Sequence, residues 1–144
     1  MTQAGTAKQN WRPKTLADVA ERSVAHGNID VFLREFLDSF YAETSSSQRI
    51  TMLAEEPRLL DERANAYLAA VAEHLSQRMD VAAPSWSNKP TRFLHRAYFP
   101  CGLESLKATL IKESPPAFRR RLIFVGGTPL SRPHSESPLA REAL

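Results

Sequence analysis

Between residues 29 and 41, seven apolar side chains fall on one line. Ile29, Phe32, Leu33, Phe36, Leu37, Phe40 and Tyr41 recur at i, i+3, i+4, i+7, i+8, i+11 and i+12, the spacing that 3.6 residues per turn brings to a single helical face. A strand would scatter the same residues over both of its faces. The segment is therefore a helix, capped by Asn28 or Asp30, and its continuous stripe belongs to a core.

The flanking sequence supplies further helices to share that core. Thr15 with Asp18 reads as a helix start, Leu16, Val19 and Ala20 give a short apolar stripe, and Gly27 is a natural stop. Ser45-Ser46-Ser47 offers N-caps for a third helix through Met52 and Leu53, ending near Pro57. Asp61 caps a fourth, whose stripe is Ala64, Tyr67, Leu68, Val71 and Leu75, with alanines at 66, 69, 70 and 72 that favour helix and allow close packing. Glu55, Glu56, Asp61 and Glu62 lie where a helix N-terminus welcomes negative charge. From Val81 to Pro90 the chain becomes a proline-bounded loop carrying Trp86, and Thr91 to Tyr98 suggests a short helical turn. Leu103, Leu106, Leu110 and Ile111 predict a helix to Lys112, and Ala117 to Leu122 a further turn. Leu122 to Val125 is the strand-like segment, ended by Gly126-Gly127. The expected fold is mainly α: one bundle of about five to six helices over 14–130 with a short extended segment near its C-terminal end. Residues 1–13 are expected to form a flexible arm and 131–144 a disordered tail, since neither carries the apolar content to pack.

Composition narrows the functional classes. At 144 residues, with 42% hydrophobic and 24% charged side chains, the chain can build a core without staples. Its one cysteine, Cys101, cannot close an internal disulfide and suits a reducing compartment. The polar N-terminus does not read as a secretory signal. No apolar run approaches the roughly 18 residues of a membrane-crossing helix. A soluble, cytoplasmic protein with no membrane partner is expected. Charge is uneven: residues 1–90 carry ten Lys/Arg against twelve Asp/Glu, and residues 91–144 carry nine against four. Such a basic C-terminal part suits an acidic protein surface or nucleic acid.

Catalytic patterns are missing from the sequence. The histidines at 26, 74, 95 and 134 are scattered, Cys101 has no partner thiol, and Gly126-Gly127 lacks the surroundings of a phosphate loop. His95 and Cys101 lack a third, orienting group. No enzyme activity, metal or cofactor is expected. The run Glu113–Val125, ESPPAFRRRLIFV, is the best candidate for a functional surface. Successive residues on a helical turn step about 100° around its axis, so at least one of Arg119, Arg120 and Arg121 must face away from any outside partner. The arginines either grip a carboxylate or phosphate surface or brace the fold through Glu104, Glu113 or the acidic helix ends. The aliphatic segment after them either adds to another chain's sheet edge or packs as an extended piece of core, which its four apolar side chains favour.

Several stretches, taken together, carry a likeness. Phe32-Leu-Arg-Glu-Phe-Leu-Asp-Ser-Phe-Tyr, Leu53-Ala-Glu-Glu-Pro, Tyr67-Leu-Ala-Ala-Val-Ala-Glu-His-Leu, Pro84-Ser-Trp86, Arg92-Phe-Leu, Tyr98-Phe-Pro and the ESPPAFRRRLIFV run resemble small bacterial antitoxin-type proteins encoded beside nucleotidyltransferase-like toxins. The Trp…Phe-Leu…Pro-x-Phe-Arg-Arg pattern is also similar to the C-terminal, non-DNA-binding part of certain helix-turn-helix regulators. The likeness spans about residues 15 to 130 and includes no catalytic motif. It implies a non-enzymatic protein that neutralises a cognate toxin by direct contact, through Trp86, Phe99 and Arg119 to Arg121. The alternative is a transcriptional regulator binding operator DNA, with the helices flanking His26-Gly27-Asn28 spaced as in a helix-turn-helix. Against it, the second helix carries Asp30, Glu35, Asp38 and Glu43 beside one Arg34, a charge that phosphate repels. A third class is a ligand pocket around Trp86, Phe93 and Phe99.

Overall fold

A computed structural model describes residues 12–102 and 104–132. Most of the expected N-terminal arm, the tail beyond Arg132, Leu103 and His134 lie outside the described residues. The fold is mainly α-helical, and among the described residues there is no strand. The chain divides into two compact units, Met1–Arg58 with Ser131–Leu144, and Leu59–Leu130; the domain expected over 14–130 contains parts of both. Among the described residues no helix is long and apolar enough to cross a membrane.

The first unit is built from three helices whose ends are written in their caps. Helix α1, Leu16–His26, starts where the Thr15 side chain accepts from the Asp18 N–H (3.1 Å) while the Asp18 carboxylate accepts from the Lys14 N–H (3.0 Å). This is close to a reciprocal capping box. It stops at Gly27, whose φ of 85° a side chain would resist and whose N–H bonds the Ser23 carbonyl at 2.7 Å. Pro13, assigned to the arm from sequence, is buried. Helix α2, Ile29–Ala42, turns the expected stripe inward and buries Leu33, Phe36, Leu37 and Phe40; Asn28 sits at its cap position without a side-chain bond. Phe36 and Phe40 pack ring on ring at 5.8 Å. Helix α3, Ser46–Ala54, is capped by Ser45, which accepts from the Gln48 N–H, and buries Leu53. Arg49 on α3 lies against the Phe40 ring, 5.7 Å from its centre. Both α2 and α3 pack on α1.

The second unit is organised around one long helix, α4, Glu62–Arg78, capped by Asp61 accepting from the Ala64 N–H at 2.9 Å. From Asn65 to Ala72 only Tyr67 escapes full burial, so the helix is covered on nearly every side. Its alanines let the neighbours come close. Those neighbours are mostly not long helices. They are two 3₁₀ turns, Ser85–Asn88 and Pro90–Arg92, and the single helical turn α6, Pro116–Arg119. A third 3₁₀ turn, Glu104–Leu106, leads into α5, Lys107–Glu113. The turn expected over Thr91–Tyr98 thus sits earlier, at 90–92, because Pro90 starts it and Phe93 is already extended (φ −128°, ψ 138°). The stripe expected on α5 is also corrected. Leu110 is buried, but Leu106 and Ile111 stand 40% and 47% exposed.

The strand-like segment packs as core, not as a bare edge. Tyr98 forms a single parallel bridge with Ile123: its N–H donates to the Leu122 carbonyl (2.8 Å) and its carbonyl accepts from the Phe124 N–H (2.9 Å). Leu122 enters the segment in the left-handed region, φ 64°, a cost to a non-glycine residue that marks a sharp redirection of the chain after α6. Ser114 pins the far end. Its hydroxyl accepts from the Val125 N–H (2.8 Å), and its one proton can go to the Leu110 or Val125 carbonyl (2.6 and 2.9 Å). Ile123 and Phe124 are buried, and the backbone donors of 123 to 125 are met within this unit.

Candidate functional site

The three arginines of the ESPPAFRRRLIFV run, at the end of α6, differ in burial and in partners. Arg121 turns inward and is fully buried. Its Nη1 donates to Glu73 and to the Ala117 carbonyl (2.8 Å), and its Nη2 to the Ser87 carbonyl (2.7 Å). One guanidinium thus ties α4, the turn at 85–88 and α6 together. Arg120 is half exposed: its Nε donates to Glu73 (2.9 Å) and its Nη2 to the Asn88 side-chain oxygen. Both guanidiniums lie against the Phe93 ring, 5.0 Å for Arg120 and 4.6 Å for Arg121 from its centre. Arg119 is exposed, and its side chain makes no hydrogen bond or ion pair among the described residues.

Glu73 is the hub. It projects from the fourth turn of α4 with its side chain 14% exposed and receives Arg120, Arg121 and the Gln77 amide (3.2 Å). Burial alone would raise its carboxyl, but hydrogen bonds and charge from Arg121 and Arg120 outweigh that and hold its pKa below the ordinary value. Burial pulls the Arg121 guanidinium below its usual pKa, against the opposing pull of Glu73. Beside the hub, His74 stacks edge-on against Phe118 at 5.5 Å, and burial with the nearby Arg78 charge pushes it down to about 4.

The expected bracing partners, Glu104, Glu113 and the acidic helix ends, are replaced by Glu73. It lies 48 positions before Arg121, and no local pattern connects them. Trp86 is buried beneath the Arg92 guanidinium (4.9 Å), and Arg92 itself is buried and donates to the Asn65 carbonyl (3.3 Å). Trp86 and Arg121 are therefore interior side chains of this unit, not surface anchors. Phe99 is half buried, stacked on Phe124 at 5.1 Å with the Lys107 ammonium 5.0 Å from its ring centre. Of the five residues expected to meet a partner, the structure leaves Arg119, Arg120 and part of Phe99 accessible. A groove of about 350 Å³ is lined by Glu62, Asn65, Pro90, Thr91, Phe93 and His95. It includes Phe93 but neither Trp86 nor Phe99, so the three aromatics do not assemble the pocket imagined from sequence.

Among the described residues no three His, Cys, Asp or Glu side chains gather as a metal site requires. Cys101 is a free thiol, exposed in a turn. The chain matches no family model, no curated protein and no solved structure. What the arrangement offers chemically is a surface pair of arginines on a turn whose third arginine is fastened into the core.

Proposed function

We propose that this chain is a binding protein that neutralises a nucleotidyltransferase-like toxin by direct complex formation, with Arg119 and Arg120 at the contact. One observation carries the proposal: two outward arginines stand on a turn held by the buried Arg121–Glu73 pair, a contact surface prepared before any partner arrives. The resemblance of the motif set to antitoxin-type proteins supplies the class of partner. Nucleotidyltransferase sites hold Mg²⁺ on carboxylates and accept triphosphates, so their clefts present acidic side chains that arginines match. Arginines seated among those carboxylates would exclude the metal and its nucleotide.

The test is co-expression with the protein encoded next to this chain, followed by pull-down and a growth assay. The proposal expects toxicity of the neighbour alone, rescue by this chain, and a stable complex. Arg119→Ala with Arg120→Ala should lift the rescue while the variant stays folded. A harmless neighbour, or rescue unaffected by the double variant, would overturn it.

A further inference from the structure

Arg120 differs from an ordinary surface arginine in how it is held. Its Nε and Nη2, the side edge of the guanidinium, are already engaged by Glu73 (2.9 and 3.2 Å) and by Asn88. Its plane rests on Phe93, 5.0 Å from the ring centre. These contacts restrain the guanidinium before binding. Nη1 donates to nothing among the described residues, and Nη2 keeps a second N–H. Nη1 and Nη2 are the end-on fork of the guanidinium, and the side chain that carries it is 42% exposed. Glu73 does not compete for that fork, because it is committed to the Arg120 side edge and to the buried Arg121.

The local charge is cationic. Glu73 neutralises only one of the two arginines it binds, and Arg119 adds an exposed cation one residue away. We infer that the end-on fork of Arg120, flanked by Arg119, is a preorganised site for a carboxylate side chain of an acidic protein partner. This rests on the binding-protein reading above and names the group recognised. A planar carboxylate accepts two parallel N–H bonds from such a fork, and a guanidinium already fixed by Glu73, Asn88 and Phe93 loses little freedom on binding it. A nucleic-acid backbone fits less well. It needs a line of cations spaced along successive phosphates, whereas two of the nearby arginines, Arg92 and Arg121, are buried.

The probe is poly-L-glutamate, with a short random duplex DNA as competitor, so no toxin is needed and the result stands apart from the fate of the antitoxin reading. In ¹⁵N spectra of the wild-type arginine side chains, polyglutamate should shift the Arg120 resonances and leave Arg121 unmoved. Arg120→Lys, which keeps the charge but loses the fork, should weaken binding about fivefold or more. Arg119→Ala should weaken it less, and Lys112→Ala, a control cation outside the site, by less than about twofold. Circular dichroism checks that each variant is folded. Arg120 resonances that stay still, Arg120→Lys binding as wild type, or duplex DNA held more tightly than polyglutamate with the same arginine dependence would each overturn the assignment.

Discussion

In the first unit the buried side chains are aliphatic or phenyl: Leu16, Val19, Leu33, Phe36, Leu37, Phe40 and Leu53. In the second, the two largest fully buried side chains are arginines, Arg92 and Arg121, and every buried polar residue of the described chain (Asn65, Ser76, Ser87, Arg92, Ser114 and Arg121) belongs to this unit. The contrast separates two ways of holding a small fold. A hydrophobic face is satisfied by any apolar neighbour of about the right volume, so it tolerates exchange. A buried guanidinium needs particular acceptors in particular places, so it fixes short turns that could not stay ordered on apolar area alone. The directional core lies beneath the exposed arginines, and the function proposed for them depends on it.

The hardest blow to this contrast comes from putting the same residue into both cores. Arg121→Met strands Glu73 in a nearly buried position with only Arg120 and leaves the Ser87 and Ala117 carbonyls without their donor. Breaking a buried pair this way should cost roughly 3–5 kcal/mol. Leu37→Met in the first unit should cost less than about 1.5 kcal/mol. Urea unfolding of both variants measures the difference, and equal losses would erase the distinction.

Acid is the next largest effect and acts on the second unit through His74. Its folded pKa, about 4, lies below the ordinary 6.5, so between those values the unfolded chain binds a proton that the folded chain refuses. Stability therefore falls as pH drops through that window, by less than the full shift implies because solvent screens the partly exposed ring. His74→Gln should flatten the slope in urea midpoints measured from pH 7 to pH 4. Glu73, with its pKa depressed, acts at lower pH: its contribution is whole above the ordinary carboxyl value of 4.5 and is lost as acid titrates the folded carboxylate.

How much of this was legible in the residues follows the same divide. The helices of the first unit and α4 could be read because their apolar spacing repeats and because Thr15, Ser45 and Asp61 announce their starts. Three adjacent arginines on one turn required that at least one face inward. Which one did so was hidden, because the choice depends on Glu73, a residue that looks like an ordinary solvent-side glutamate of α4. Trp86 and Phe93 misled for a related reason. They read as anchor or pocket aromatics, yet each serves as a platform for an arginine, a use that leaves no periodic trace.

Smaller effects sharpen the comparison at the edges of each unit. Ser114→Ala removes the hydroxyl that receives the Val125 N–H and serves the Leu110 and Val125 carbonyls. Leaving that partly buried donor unmet should cost about 1–3 kcal/mol and speed amide exchange at Val125. Thr15→Ala removes one cap from α1 and should cost about 1 kcal/mol, visible as a small shift in the urea midpoint. A cap loss that matched or exceeded the Ser114 loss would mean that the second unit gains nothing special from directional bonding.

The most direct measurement is a double-mutant cycle on Glu73→Gln and Arg121→Met, read by urea unfolding at neutral pH. If the buried pair holds the second unit, the double variant should lose at least about 2 kcal/mol less than the two single losses added together. Losses that add to within about 0.5 kcal/mol would show that Glu73 and Arg121 act independently, and would contradict the account.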